Sequence, residues 1–142
     1  MTCQRVVLAE DHAEVARQLC TLLANDYEVL DIVPDGRALV VKVAELKPDV
    51  VVSDVTMPGM NGLSAARAIL DRNPEARIVF VTVQSEPDVV RRALALGVLG
   101  YVLKCDAGEE LLAAVRSSLE GRQYLSAGAR RQSWRRDHPN RG

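Results

Sequence analysis

The sequence predicts an α/β fold: a doubly wound, five-stranded parallel sheet in the order 2-1-3-4-5. Three observations predict it. Five short β-branched runs alternate strictly with five stretches of helical period. Several runs are almost entirely Val, Ile and Leu, the composition of parallel strands buried on both faces. Strict alternation argues three layers, and right-handed crossovers then leave few orders, of which 2-1-3-4-5 is a common one.

The strands are expected at Arg5–Ala9 (RVVLA), Tyr27–Val33 (YEVLDIV), Val50–Val52 running into Ser53 and Asp54, Ile78–Thr82 (IVFVT) and Tyr101–Leu103 (YVL). A first helix is predicted over about His12–Asn25, with Val15, Leu19, Leu22 and Leu23 on one face. Leu39, Val40 and Val43 predict a second within Arg37–Leu46, stopped by Pro48. A third runs over Leu63–Asp71 and ends at Asn73-Pro74. A fourth spans Pro87–Leu96, with Ser85 as a candidate cap, Pro87 in its first turn and Gly97 as its stop. The fifth is Ala107–Glu120, with Asp106 as candidate N-cap, Glu109 three residues on, and Gly121 after its end. From about Ser126 the apolar period is lost, and a flexible extension is expected.

Charge and cysteine content narrow the function. The 142 residues carry a net charge of −1, so the chain as a whole is not built to coat nucleic acid or an anionic membrane. That average hides an asymmetry: residues 1–120 hold 12 basic and 18 acidic side chains, whereas residues 121–142 hold six Arg and one Asp. An Arg-rich run of this kind around Trp134 is read first as a solvated tail and second as a nucleic-acid contact. No apolar run approaches the ~20 residues of a membrane span. The N-terminus turns acidic too early for a signal peptide. Cys3, Cys20 and Cys105 fit neither a disulfide framework nor a zinc knuckle. A reducing, cytoplasmic location is the expectation.

In an open α/β sheet, ligands bind beyond the carboxyl ends of the strands. Strand one ends in Glu10 and Asp11, strand three in Asp54, strand four in Thr82 and strand five in Lys104. Each has an ordinary reading alone: a helix cap, a turn former, a β residue, a solvated strand end. Together they place three carboxylates, a hydroxyl and an ammonium on one edge. The carboxylates repel one another and need a cation, for which Mg²⁺ is the natural choice. Such a site suits an aspartyl phosphate on Asp54, with Lys104 offsetting charge on phosphoryl oxygens and Thr82 donating to them.

The set Glu10-Asp11, Asp54 within SDVTMPGMNG, Thr82, and GYVLK ending at Lys104 resembles the response-regulator receiver domain of two-component signalling. The PDVVVSDVTMPGMNGL block and the EGRQYLS segment look most like receivers of NarL/LuxR-type transcription factors. The resemblance covers roughly residues 4–122. It implies a flavodoxin-like (βα)5 receiver fold over residues 1–125, with 126–142 as a basic tail. It implies that Asp54 takes phosphate from a sensor histidine kinase. Glu10, Asp11, Asp54 and the backbone carbonyl of Thr56 would bind Mg²⁺, Lys104 would contact the phosphoryl group, and Thr82 and Tyr101 would form a switch pair. It implies a protein that catalyses its own phosphorylation and dephosphorylation and turns over no separate substrate. The surface of helix four, strand five and helix five would change and receive a partner or a second copy.

Two departures stand out. Val83 follows the switch threonine where a small residue is common, and it is expected to narrow access to Asp54. Cys105 follows Lys104 where proline is common, so a trans bond is expected. Such regulators also carry a helix-turn-helix domain, and no recognition helix is legible in the residues after helix five. Three other classes fit less well. A haloacid-dehalogenase phosphatase wants a second Asp two residues after the nucleophile, where Thr56 stands. A flavin-binding module wants a Ser/Thr/Gly-rich loop after strand one, where Glu10-Asp11-His12-Ala13-Glu14 stands. A degenerate receiver used only for docking would rest on Val83 alone.

Overall fold

The computed structural model describes residues 3–131. The elements, numbered along the chain, are β1 (Arg5–Ala9), α1 (Ala13–Leu23), β2 (Glu28–Val33), α2 (Gly36–Leu46), β3 (Val50–Ser53), α3 (Gly62–Arg72), β4 (Ile78–Thr82), α4 (Pro87–Leu96), β5 (Gly100–Leu103), α5 (Ala107–Leu119) and β6 (Tyr124–Leu125). A 3₁₀ turn over Lys104–Asp106 joins β5 to α5. All strand pairs are parallel, and the sheet order is β2-β1-β3-β4-β5-β6.

The central strands alternate between two apolar layers because successive strand side chains point to opposite faces. Val7, Val51, Ile78, Phe80 and Tyr101 face one layer with Leu39, Leu63, Ile69 and Val90 of α2, α3 and α4. Val6, Leu8, Val50, Val52, Val79 and Val102 face the other, with Leu19 and Leu23 of α1 and Leu111 and Val115 of α5. The β3 side chains are all buried. That continuous burial fixes the register, and so fixes which residue stands at the strand's end: Asp54.

Helix ends follow local chemistry. Asp35 and Asn61 cap α2 and α3 by accepting from Ala38 N and Ser64 N at 2.8 and 2.9 Å. The second helix ends at Leu46, as predicted, with Lys47 as its cap in the left-handed region at φ 47° just before Pro48. Gly97 ends α4 at φ 106°, as its position predicted. Ser85 does not cap α4, whose N-cap position falls on Glu86 with no side-chain bond.

Gly62 lets the β3–α3 loop fold back on itself. A Cβ at this position would lie 2.1 Å from the Asp54 carbonyl oxygen and 2.9 Å from Val55 Cα. Both are backbone atoms of the segment that carries Asp54, so no rotamer change relieves the clash. Gly62→Ala is therefore expected to lower stability by about 2 kcal/mol or more, in the range of overpacked cores. Thermal unfolding checks this, and an unchanged midpoint would contradict it.

Two expectations need correction. The sheet has six strands, not five, because Tyr124–Leu125 adds to the β5 edge. The flexible segment expected from Ser126 is not met over residues 126–131. Ser126 and Ala129 are fully buried, and residues 127–131 are helical. The remainder of the expected basic tail, Trp134 included, lies outside the described residues.

Asp106, expected to cap α5, makes no cap bond there. Its carboxylate instead accepts from Gly128 N at 2.9 Å. The Ser126 hydroxyl, first, and then Gly128 N–H, Arg131 and the Cys105 thiol hold its pKa below the ordinary value, against an opposing effect of burial. A depressed carboxylate pKa adds stability above the unfolded value, and that stability is lost as pH falls through the folded one. The Gly128 amide signal should therefore titrate in an NMR series with a midpoint below the ordinary 3.8. A midpoint at or above 3.8 would contradict the contact.

Candidate functional site

The carboxyl ends of β1, β3, β4 and β5 bring the predicted residues to one edge. β1 and β3 pair in register, Ala9 opposite Ser53, and Asp54 N donates to Ala9 O at 3.0 Å. Glu10, Asp11 and Asp54 thereby converge, each offering a carboxylate oxygen, with these oxygens within 4.8 Å of one another. Glu10 and Asp54 are buried and Asp11 is exposed.

Lys104 leaves the end of β5 in the 3₁₀ turn and reaches past β4. Its Nζ lies 2.8 Å from Asp54 Oδ2 and 2.9 Å from Glu10 Oε1. The Asp54 contact is a directed hydrogen bond. The Glu10 contact is close enough for an ion pair but poorly aligned, so Oε1 stays a buried oxygen with no directed donor. Burial pulls the Lys104 pKa down, but the bond to Asp54 and the close carboxylates of Asp54 and Glu10 outweigh this, and the net shift is upward. The ammonium is therefore held charged among the carboxylates.

The remaining oxygens are also oriented. Glu10 Oε2 accepts from His12 N at 3.1 Å, and Asp54 Oδ1 accepts from Thr56 N at 3.2 Å. Three hard oxygen donors, one of them buried and undirected, fit a divalent cation of the Mg²⁺ kind. One lysine against three carboxylates leaves excess negative charge, which such an ion would offset.

Thr82 is fully buried, and its Oγ1 accepts from Gln84 N at 3.2 Å. That bond leaves the hydroxyl proton free to donate elsewhere. Tyr101 is fully buried too, and its hydroxyl donates to Gln84 O at 2.6 Å. Its ring meets Phe80 edge-on, with centroids 6.2 Å apart. Burial, then the charges of Glu86 and Asp54, raise its phenol pKa far above the ordinary value.

Gln84 was not anticipated. Besides its two backbone bonds, its Nε2 donates to Thr56 Oγ1 at 2.9 Å, tying the β4–α4 loop to the β3–α3 loop. The signal was present in the topology: β3 and β4 are neighbours, so polar residues two beyond Asp54 and two beyond Thr82 meet. Val83, expected to narrow access, is 69% exposed and stands in solvent. The Lys104–Cys105 bond is trans, as are all peptide bonds among the described residues.

A doubly wound sheet with an acidic triad, a bridging lysine and a buried threonine at its carboxyl edge fits the class of signalling receiver domains. The family model described as the response regulator receiver domain matches residues 6–116. The chain belongs to that family. Proteins of the NarL/LuxR type are among those it is similar to. It is 37% identical over 124 residues to the oxygen regulatory protein NreC of Staphylococcus aureus, a match covering 85% of this chain and 57% of that protein. The chain thus spans little more than half the length of the curated relatives it matches. Among solved structures it is similar to a LuxR-family two-component response regulator from Aurantimonas sp. SI85-9A1, with TM-score 0.92, 28% identity, and 96% and 99% of the two chains covered. It is also similar to the signal receiver domain of the response regulator NarL from Mycobacterium tuberculosis, with TM-score 0.81, 29% identity, and 86% and 100% covered. Among the described residues no helix is long and apolar enough to cross a membrane.

Proposed function

We propose that Asp54 is the phosphoacceptor of this receiver and that a sensor histidine kinase is its donor. The observation that carries the reading is the Lys104 ammonium set against both Asp54 and Glu10. A carboxylate oxygen of Asp54 forms the new P–O bond as the P–N bond of the kinase phosphohistidine breaks and the histidine leaves. Lys104 stands where phosphoryl oxygens gain charge, and Thr82 has a proton to donate to them. Glu10, Asp11, Asp54 and the backbone carbonyl of Thr56 would hold Mg²⁺. When bound, that ion neutralises negative charge on the transferred group. The protein accelerates its own phosphorylation and dephosphorylation and turns over no separate substrate.

The switch follows from the same geometry. A phosphoryl group on Asp54 draws the Thr82 hydroxyl toward it, which stabilises Tyr101 in its buried place beside β4. The face formed by α4, β5 and α5 then changes and presents a site for a partner or a second copy. β6 and residues 126–131 line one border of that face, so we read the receiver as extending through residue 131. The working place is the cytoplasm, and the output is that of a DNA-binding transcriptional regulator of which this chain is the receiver part or a stand-alone relative.

Incubation with acetyl phosphate and Mg²⁺, read by intact mass, tests acceptance. Switching has its own test. Beryllofluoride, a phosphoryl mimic, should shift the backbone amides of α4 and β5 and promote association in sedimentation. In Thr82→Ala the mimic should still bind while those shifts shrink severalfold. Full shifts in Thr82→Ala would remove the threonine from the mechanism.

A further inference from the structure

Residues 122–131 leave α5, return along β5 and end on the surface. Gly121, at φ 77°, makes the turn that starts them back. Only two residues pair with β5, Gly100 opposite Tyr124 and Tyr101 opposite Leu125. So short a strand is marginal by itself. The rest of the attachment is polar and specific. Ser126 N donates to Tyr101 O at 3.0 Å, and Leu103 N donates to Ser126 Oγ at 3.1 Å. Glu110 spans two partners, accepting from Tyr124 Oη at 2.7 Å and from Ala127 N at 2.9 Å. Asp106 accepts from Gly128 N. Two carboxylates of the β5–α5 region thus cap the helical turn that follows Ser126, where unpaired N–H groups favour negative charge. Gly128 completes the fit, because a Cβ there would lie 2.6 Å from Leu103 Cδ1 and 2.9 Å from Asp106 Oδ2.

We propose that residues 122–131 are a releasable strap that reads the position of Tyr101 and carries it to the molecular surface. Two sets of bonds meet at Tyr101, one at its side-chain hydroxyl and one at its backbone carbonyl. Thr82 Oγ1 accepts from Gln84 N, Gln84 O accepts from Tyr101 Oη, and Tyr101 O accepts from Ser126 N. Tyr101 and Leu125 are register partners on one face of the sheet, in the apolar cluster that also holds Ala129, so the inward ring and the docked strap pack together. Whatever holds Tyr101 inward favours docking, and loss of the tyrosine hydroxyl bond favours release. The link from Asp54 to Thr82 rests on the proposed function; the link from Tyr101 to the strap does not.

Amide hydrogen exchange on the full chain, read at Ser126, Ala127 and Gly128, tests the inference. Asp106→Ala with Glu110→Ala should speed exchange at Ala127 and Gly128 by about ten- to a hundredfold, as expected for lost bonds to charged acceptors. The β1 amides should keep their protection. Gly128→Val should give the same rise with both carboxylates in place. Tyr101→Phe, which keeps the ring, should speed exchange at Ser126. Unchanged exchange there would show that the strap does not read Tyr101 and would overturn the inference. Beryllofluoride with Mg²⁺ should slow exchange at all three amides, with binding reported independently by the Thr56 amide signal. A moved Thr56 signal with strap amides unchanged or faster overturns the strap and leaves the proposed function standing. An unmoved Thr56 signal counts against the proposed function, and the Tyr101→Phe result then decides the strap alone.

Discussion

Asp54→Ala should abolish phosphorylation of this protein by acetyl phosphate in the presence of Mg²⁺, where the wild type gains one phosphoryl group by intact mass. The effect is all-or-none because one oxygen nucleophile is replaced by a methyl group. Asp54 is the acid whose Oδ2 meets the Lys104 ammonium while Oδ1 meets a backbone N–H. Glu10 has a different environment. Its Oε2 turns back to His12 N, and its Oε1 lies beside the same lysine without a directed bond. Asp11 is exposed. A carboxylate aligned by a directed ammonium bond is the one prepared for charge transfer to phosphorus. Asp54→Ala should also fold at least as well as the wild type, since it removes one of three mutually repelling acids. Loss of labelling then reports chemistry and not unfolding. Equal labelling of the variant would assign the acceptor elsewhere.

The site was legible in the sequence because strands report their own ends. Five β-branched runs located five carboxyl ends, and four of them carry a charged or hydroxyl group at or just beyond the end: Glu10, Asp54, Thr82 and Lys104. Parallel pairing did the rest, since Ala9 opposite Ser53 makes Glu10 and Asp54 neighbours without any loop having to be guessed. Gln84 was not legible in the same way. It lies in a loop with no period, and two of its three bonds run through its backbone, which any residue type could supply. β6 was missed for a related reason. A two-residue strand has no period, and Tyr124–Leu125 is held by the edge of β5 and by Glu110 rather than by its own apolar pattern. Asp106 was misread because a cap and a latch want the same residue. Sequence placed an acid before α5 correctly, but tertiary contact with Ser126 and Gly128 displaced the local bond.

Lys104→Met should be the most destabilising single change at the site. The Lys104 side chain is 18% exposed, and its two partners are 1% and 5% exposed. Methionine keeps most of the stem's volume, so packing changes little and charge changes by one. What remains is two buried carboxylates beside an exposed third, with no cation among them. Breaking a buried pair by removing one partner costs about 3–5 kcal/mol, because the partner's charge stays behind. In a chain of this size that corresponds to a fall in Tm on the order of 10 °C. Two further measurements separate this cause from lost packing. Mg²⁺ should raise the Tm of Lys104→Met more than that of the wild type, since the variant lacks the internal cation that competes for the same oxygens. Adding Asp54→Asn to Lys104→Met should recover much of the loss, because it removes one of the buried charges left unpaired; the two residues are in contact, so their effects should not add. If the lysine acted only as packing, Mg²⁺ would stabilise both proteins equally and the double variant would be no better than the single one. Such a result would place the Lys104 ammonium outside the electrostatics of the acid site, despite its 2.8 Å contact with Asp54.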